Sequence, residues 1–91
     1  MAIMTKATTI TWASEIAQYS NTSLNEERNT KLAEMLAAGK TEGNPNIIAP
    51  NVTIREWLDQ AAAEEYRDFI LGLDEKYGPG LVLGITIEDA N

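Results

Sequence analysis

The chain has 91 residues, 7 Lys and Arg against 14 Asp and Glu, and a net charge of −7. It carries neither Cys nor His, which excludes thiol nucleophiles, disulfides, Cys/His zinc sites and imidazole acid–base chemistry. An apolar share of 44% fits a single folded domain over residues 1–91 and argues against intrinsic disorder. A field of that sign repels phosphate backbones and anionic lipid, so neither direct nucleic-acid binding nor membrane attachment is expected. Met1–Lys6 lacks the apolar core of a signal peptide, and no stretch reaches the roughly 18 apolar residues of a spanning helix. An intracellular location is the expectation from these features.

In chain order, Thr8-Thr9-Ile10-Thr11-Trp12 reads as a strand from its β-branched content. Ser14 to Ser20 fits either a short helix or a loop. Ser23-Leu24-Asn25-Glu26 has the spacing of a capping box opening a helix. Leu24, Leu32, Met35 and Leu36 form its apolar side, with Arg28 among them, and Gly39 ends it. Gly39-Lys40-Thr41 repeats the end of a phosphate-binding loop, but it follows a helix and lacks the earlier glycine, so it reads as helix termination. Gly39 to Asn51 is the longest irregular stretch. Within it, Asn46 to Asn51 supplies a short strand and a Pro-Asn turn, giving a hairpin with the next strand. Asn21-Thr22-Ser23 and Asn51-Val52-Thr53 match the glycosylation triplet, yet read as turn and strand-entry chemistry in a chain without a secretory signal.

Val52-Thr53-Ile54-Arg55-Glu56-Trp57-Leu58 alternates as a strand. Val52, Ile54 and Leu58 are expected to face the core. Thr53, Arg55 and Trp57 would then lie on the opposite face together with Thr86 and Glu88. Next, Asp59 caps a helix whose stripe is Ala62, Tyr66, Phe69, Ile70, Leu73 and Tyr77, with Gly78 stopping it in the left-handed conformation. Leu71 falls opposite that stripe, on the solvent side. Gly78-Pro79-Gly80 is a turn, and Leu81, Leu83, Ile85 and Ile87 then alternate through the last strand.

The order is βαββαβ, expected to form an α+β two-layer sandwich of the ferredoxin-like kind. Two helices would cover one face of a mainly antiparallel sheet. Without the hairpin the order reduces to βαβαβ.

No catalytic, cofactor or metal residues are expected. Glu64, Glu65 and Asp68 point away from the apolar stripe, and the pairs Asp74-Glu75 and Glu88-Asp89 lack the ligand spacing of a calcium loop. Trp and Arg are enriched in interface hot spots. Thr53, Arg55 and Trp57, with Leu71 on the helix, are therefore the expected protein interface. Alanine at Trp57 would weaken assembly and leave the fold intact.

Ile54-Arg55-Glu56-Trp57-Leu58, followed by Ala61-Ala62-Ala63-Glu64-Glu65-Tyr66-Arg67-Asp68-Phe69-Ile70, resembles small acidic proteins encoded by tailed bacteriophages. The similarity covers about residues 52–88. It implies a structural virion protein, assembling with copies of itself and with other virion proteins, or a small host-directed phage protein. The latter fits the charge asymmetry, since residues 55–91 hold 9 acids and 3 bases, or −6, against 5 acids and 4 bases, or −1, in residues 1–54. Such a protein would block a host protein by presenting carboxylates in place of phosphates. A third possibility is a cofactor-free enzyme of the dimeric α+β barrel kind, with Trp12, Tyr66 and Tyr77 available to a pocket between sheet and helices.

Overall fold

A computed structural model describes residues 3–14, 22–42 and 46–90, with 46–48 described in the backbone alone. The element order is β1 (Lys6–Trp12), α1 (Thr22–Ala37), β2 (Asn46–Ala49), β3 (Val52–Trp57), α2 (Gln60–Tyr77) and β4 (Val82–Asp89). The four strands form one antiparallel sheet in the order β2-β3-β1-β4, and both helices lie on the same side of it. This is the expected α+β ferredoxin-like sandwich, with the hairpin of β2 and β3 in place. Most of the stretch between Ser14 and Ser20 lies outside the described residues.

The helix ends follow local chemistry. At α2, the Asp59 carboxylate accepts from the Ala62 amide at 2.9 Å, satisfying one of the free donors of the first turn. At the end of α1, Gly39 sits at φ +75°, the Gly39 amide donates to Leu36 O, and the Lys40 amide donates to Met35 O. That double bond pattern is a Schellman closure, which needs a residue without Cβ penalty at the left-handed position. Gly39-Lys40 therefore terminates a helix, as the sequence implies. Two details differ. Helix α1 begins at Thr22, so Ser23 is already inside the first turn. Gly78 has φ −108° and is not left-handed; a Cβ there would stand 2.6 Å from Asp74 O, so close approach requires the glycine.

The core is built around two tryptophans. Trp12 and Trp57 are buried with Ile10, Leu24, Met35, Ala62, Ala63, Tyr66, Ile70 and Leu73. The α2 stripe matches its sequence pattern: Ala62, Tyr66, Ile70 and Leu73 are buried, and Phe69 and Tyr77 pack at its margin. On α1, Leu24 and Met35 are buried and Leu32 packs beside them, but Leu36 is exposed. The two helices are also tied at the surface. Lys31 and Lys40 both pair with Glu65, at 2.9 and 2.7 Å, and Glu27 accepts from Lys76 and Tyr77.

Strand β4 contains an irregularity that its alternation hides. Thr11 pairs with Gly84 but Trp12 pairs with Val82, so Leu83 is an extra residue on β4. The bulge shifts the alternation by one. Val82, Ile85 and Ile87 pack on the core, whereas Leu83 is 67% exposed. The Asp74 carboxylate fixes the entry to this strand by accepting from the amides of Leu81 and Val82, at 2.7 and 3.0 Å.

Candidate functional site: the uncovered sheet face

Residues directly opposite one another in an antiparallel pair project to the same side. The register therefore resolves the sheet into two grids. On the covered side, Thr53, Ile10 and Ile85 form one row and Arg55, Thr8 and Ile87 form the next. Trp57, Lys6 and Asp89 form the last. On the open side the rows are Val52-Thr11-Gly84, Ile54-Thr9-Thr86 and Glu56-Ala7-Glu88.

This arrangement corrects the expected interface. Trp57 is 0% exposed; its ring lies 4.6 Å, centroid to centroid, from Tyr66 of α2, and its indole N–H donates to Thr8 Oγ1 at 2.9 Å. Thr53 and Arg55 share its parity and are half-buried beneath the helices. The Arg55 guanidinium hydrogen-bonds the Tyr66 hydroxyl, whose pKa is raised by burial. Burial likewise lowers that of Arg55, with Tyr66 opposing the shift. The physical reason is volume. Either Val52, Ile54 and Leu58 or Trp57 can face the helices, and the indole is the largest single side chain of the strand, packed on Tyr66 with its N–H satisfied by Thr8. Thr86 and Glu88 do lie on the open face, as expected. Leu71 is 45% exposed on the outer side of α2, remote in kind from a sheet surface.

The covered side also holds a polar cluster that sequence spacing did not reveal. Arg28 is only 8% exposed, stacks 5.7 Å over the Trp12 ring, and donates to Asn25 Oδ1. A guanidinium tolerates burial when its planar face rests on an aromatic ring and its N–H groups are engaged. Trp12 closes the same region: its backbone exchanges bonds with Asn51, N–H to Asn51 O at 2.7 Å and O from Asn51 Nδ2 at 2.9 Å. Trp12 and Tyr66, two of the three aromatics available to a sheet–helix pocket, are thus packed core residues.

The open face is a different surface. Ala7, Thr9 and Ile54 floor a depression of about 300 Å³, rimmed by Glu42, Glu56, Glu88 and Asp89. Asp89 pairs with Lys6 at 2.5 Å, which lowers the carboxyl pKa. Among the described residues, Glu42, Glu56 and Glu88 have no ion pair or side-chain hydrogen bond. The face thus combines an apolar and hydroxylated floor with uncompensated negative charge. A second hollow, of about 470 Å³, lies between the helices beside Glu27, Lys31, Phe69 and Tyr77, but its central carboxylate is already held by Lys76 and Tyr77.

Among the described residues no group of three or more Asp or Glu is placed to hold a metal ion. No described helix is long and apolar enough to cross a membrane. No protein-family model matches the chain, no curated protein matches it, and no solved structure matches it.

Proposed function

We propose that this chain is a non-enzymatic interaction protein that docks a basic surface of another protein on its open sheet face. The phage resemblance supports placing that role in a virion, with other virion proteins as partners. One observation carries the reading: the Glu56-Ala7-Glu88 row, with Glu42 beside it, presents carboxylates that have no partner among the described residues, around the half-buried Ile54 and Thr9. Half-buried Thr9 and Thr11, exposed Thr86 and an aliphatic floor accept a packed partner without reordering the sheet. The carboxylates select Lys- and Arg-bearing surfaces and disfavour stacking two copies of this face upon each other.

Zero-length carboxylate–amine cross-linking in an extract of the native host tests this reading. The expected adducts join Glu42, Glu56 or Glu88 to a lysine of a partner. Adducts confined to Glu64, Asp68 and Glu75 would overturn it and favour the second reading, an acidic inhibitor acting through the helix side. The structure reduces the carboxylates left to that second role, since Glu65 holds two lysines, Asp68 pairs with Arg67 and Asp74 binds backbone.

A further inference from the structure

The edge of the sheet formed by β4 has no neighbouring strand among the described residues. The Ala90 amide donates to Thr5 O at 3.0 Å, which sets the phase of the β1–β4 ladder. In an antiparallel ladder, bonded and non-bonded pairs alternate. Glu88, Thr86 and Gly84 therefore bond inward to Ala7, Thr9 and Thr11. The backbone N–H and C=O groups of Ile85, Ile87 and Asp89 face outward from the sheet.

Exposed edges are ordinarily guarded by proline, lysine or a covering segment. Val82–Asp89 contains neither Pro nor Lys, and its bulge lies near one end, leaving six residues from Gly84 onward in regular register. The complement of such a row of donors and acceptors is another extended backbone.

We propose that β4 pairs antiparallel with β4 of a second copy, joining two four-stranded sheets into one of eight strands. The residue pattern is self-complementary about Ile85. A two-fold axis there sets Ile85 against its own counterpart and Leu83 against the second copy's Ile87, removing water from the exposed leucine. The same axis sends the acidic Glu88-Asp89 ends to opposite extremes of the joint strand pair, whereas a parallel pairing would stack them. This surface is distinct from the open face, and the pairing does not require the docking function proposed above.

The two associations respond oppositely to salt. Two copies each carrying −7 repel at long range, so edge pairing strengthens as salt screens them. Docking of a basic protein on carboxylates weakens under the same change.

Sedimentation equilibrium of the whole chain, with amide hydrogen exchange followed by NMR, tests the pairing. The expected result is a concentration-dependent dimer favoured by salt, with the Ile85 and Ile87 amides protected in the dimer and exchanging on dilution. Leu83→Glu should raise the dimer dissociation constant about tenfold or more, a change of about 1.4 kcal/mol. Leu71→Glu, the same charge change at another exposed leucine, should leave it unchanged. A chain that stays monomeric at every concentration would overturn the proposal. So would a dimer in which the Ile85 and Ile87 amides exchange freely, or one weakened equally by both variants. Because exchange is read on the unsubstituted chain, the result does not depend on any variant folding.

Discussion

The two sides of this sheet are built from the same strands, one residue out of step, and they solve different problems. The covered side carries Trp12, Trp57, Ile10, Ile85 and Ile87; the indole N–H of Trp57 is bonded to Thr8, whereas that of Trp12 has no partner among the described residues. The open side carries Ala7, Thr9, Thr11, Ile54 and Thr86 with carboxylates on its rim. The difference teaches that the largest aromatic residues here are spent on stability. In the function proposed above, recognition falls to small residues and to carboxylates without a partner among the described residues, and a search for exposed tryptophan would look on the wrong side.

Substitutions that strain this division are ranked by size. Trp57→Ala removes the centre of the covered side and should cost about 3–5 kcal/mol, read as a lower urea midpoint. A variant with near-native stability would break the comparison outright. Thr8→Val keeps shape but removes the acceptor of the buried indole N–H, and should cost about 1–3 kcal/mol, again by urea unfolding. On the open side, Glu56→Gln and Glu88→Gln should each change stability by no more than about 0.5 kcal/mol, because neither carboxylate has a partner to lose among the described residues. A clear loss of stability there would show that the open face also serves the fold.

The smallest effect is on pH. Hydrogen bonds from Lys40 and Lys31 hold the Glu65 carboxyl below its ordinary value of 4.5 in the folded chain. A carboxyl lowered on folding contributes stability that is present above its unfolded pKa and lost as pH falls through the folded one. Glu27, lowered by Tyr77 and Lys76, and Asp89, lowered by Lys6, act in the same direction. Stability should therefore decline from about pH 4.5 downward. Glu65→Gln should make that decline shallower, by thermal unfolding across the acid range. These carboxyls are exposed or nearly so, and solvent limits the size of the effect.

Much of the fold was legible because long amphipathic periods constrain it. The α2 stripe, its Asp59 cap, the Gly39 stop and the six-element order all follow from spacing. The phase of β3 was not legible. Alternation assigns Thr53, Arg55 and Trp57 to one parity and Val52, Ile54 and Glu56 to the other, but each set contains large apolar residues. Only the packing of Trp57 on Tyr66 and Thr8 decides which set turns inward. Leu83 was misplaced for another reason, since a bulge inserts one residue without any sequence mark. The interface expected from sequence follows the same phase of β3, and so names Trp57 instead of Ile54, Thr9 and Glu56. The signal that could have found them is the parity of Thr86 and Glu88 on β4, which carries the same open face across β1.

The central claim, that the open face binds while the covered face holds the fold, is tested most directly by retention of a basic protein partner on the immobilised chain. The unsubstituted chain should retain such a partner from native host extract at low ionic strength and release it as salt rises past about 0.15 M, where the screening length falls to about 8 Å. The Glu56→Gln/Glu88→Gln double variant, folded as shown by an unchanged urea midpoint, should retain little of it. Retention by the double variant equal to that of the unsubstituted chain would contradict the account.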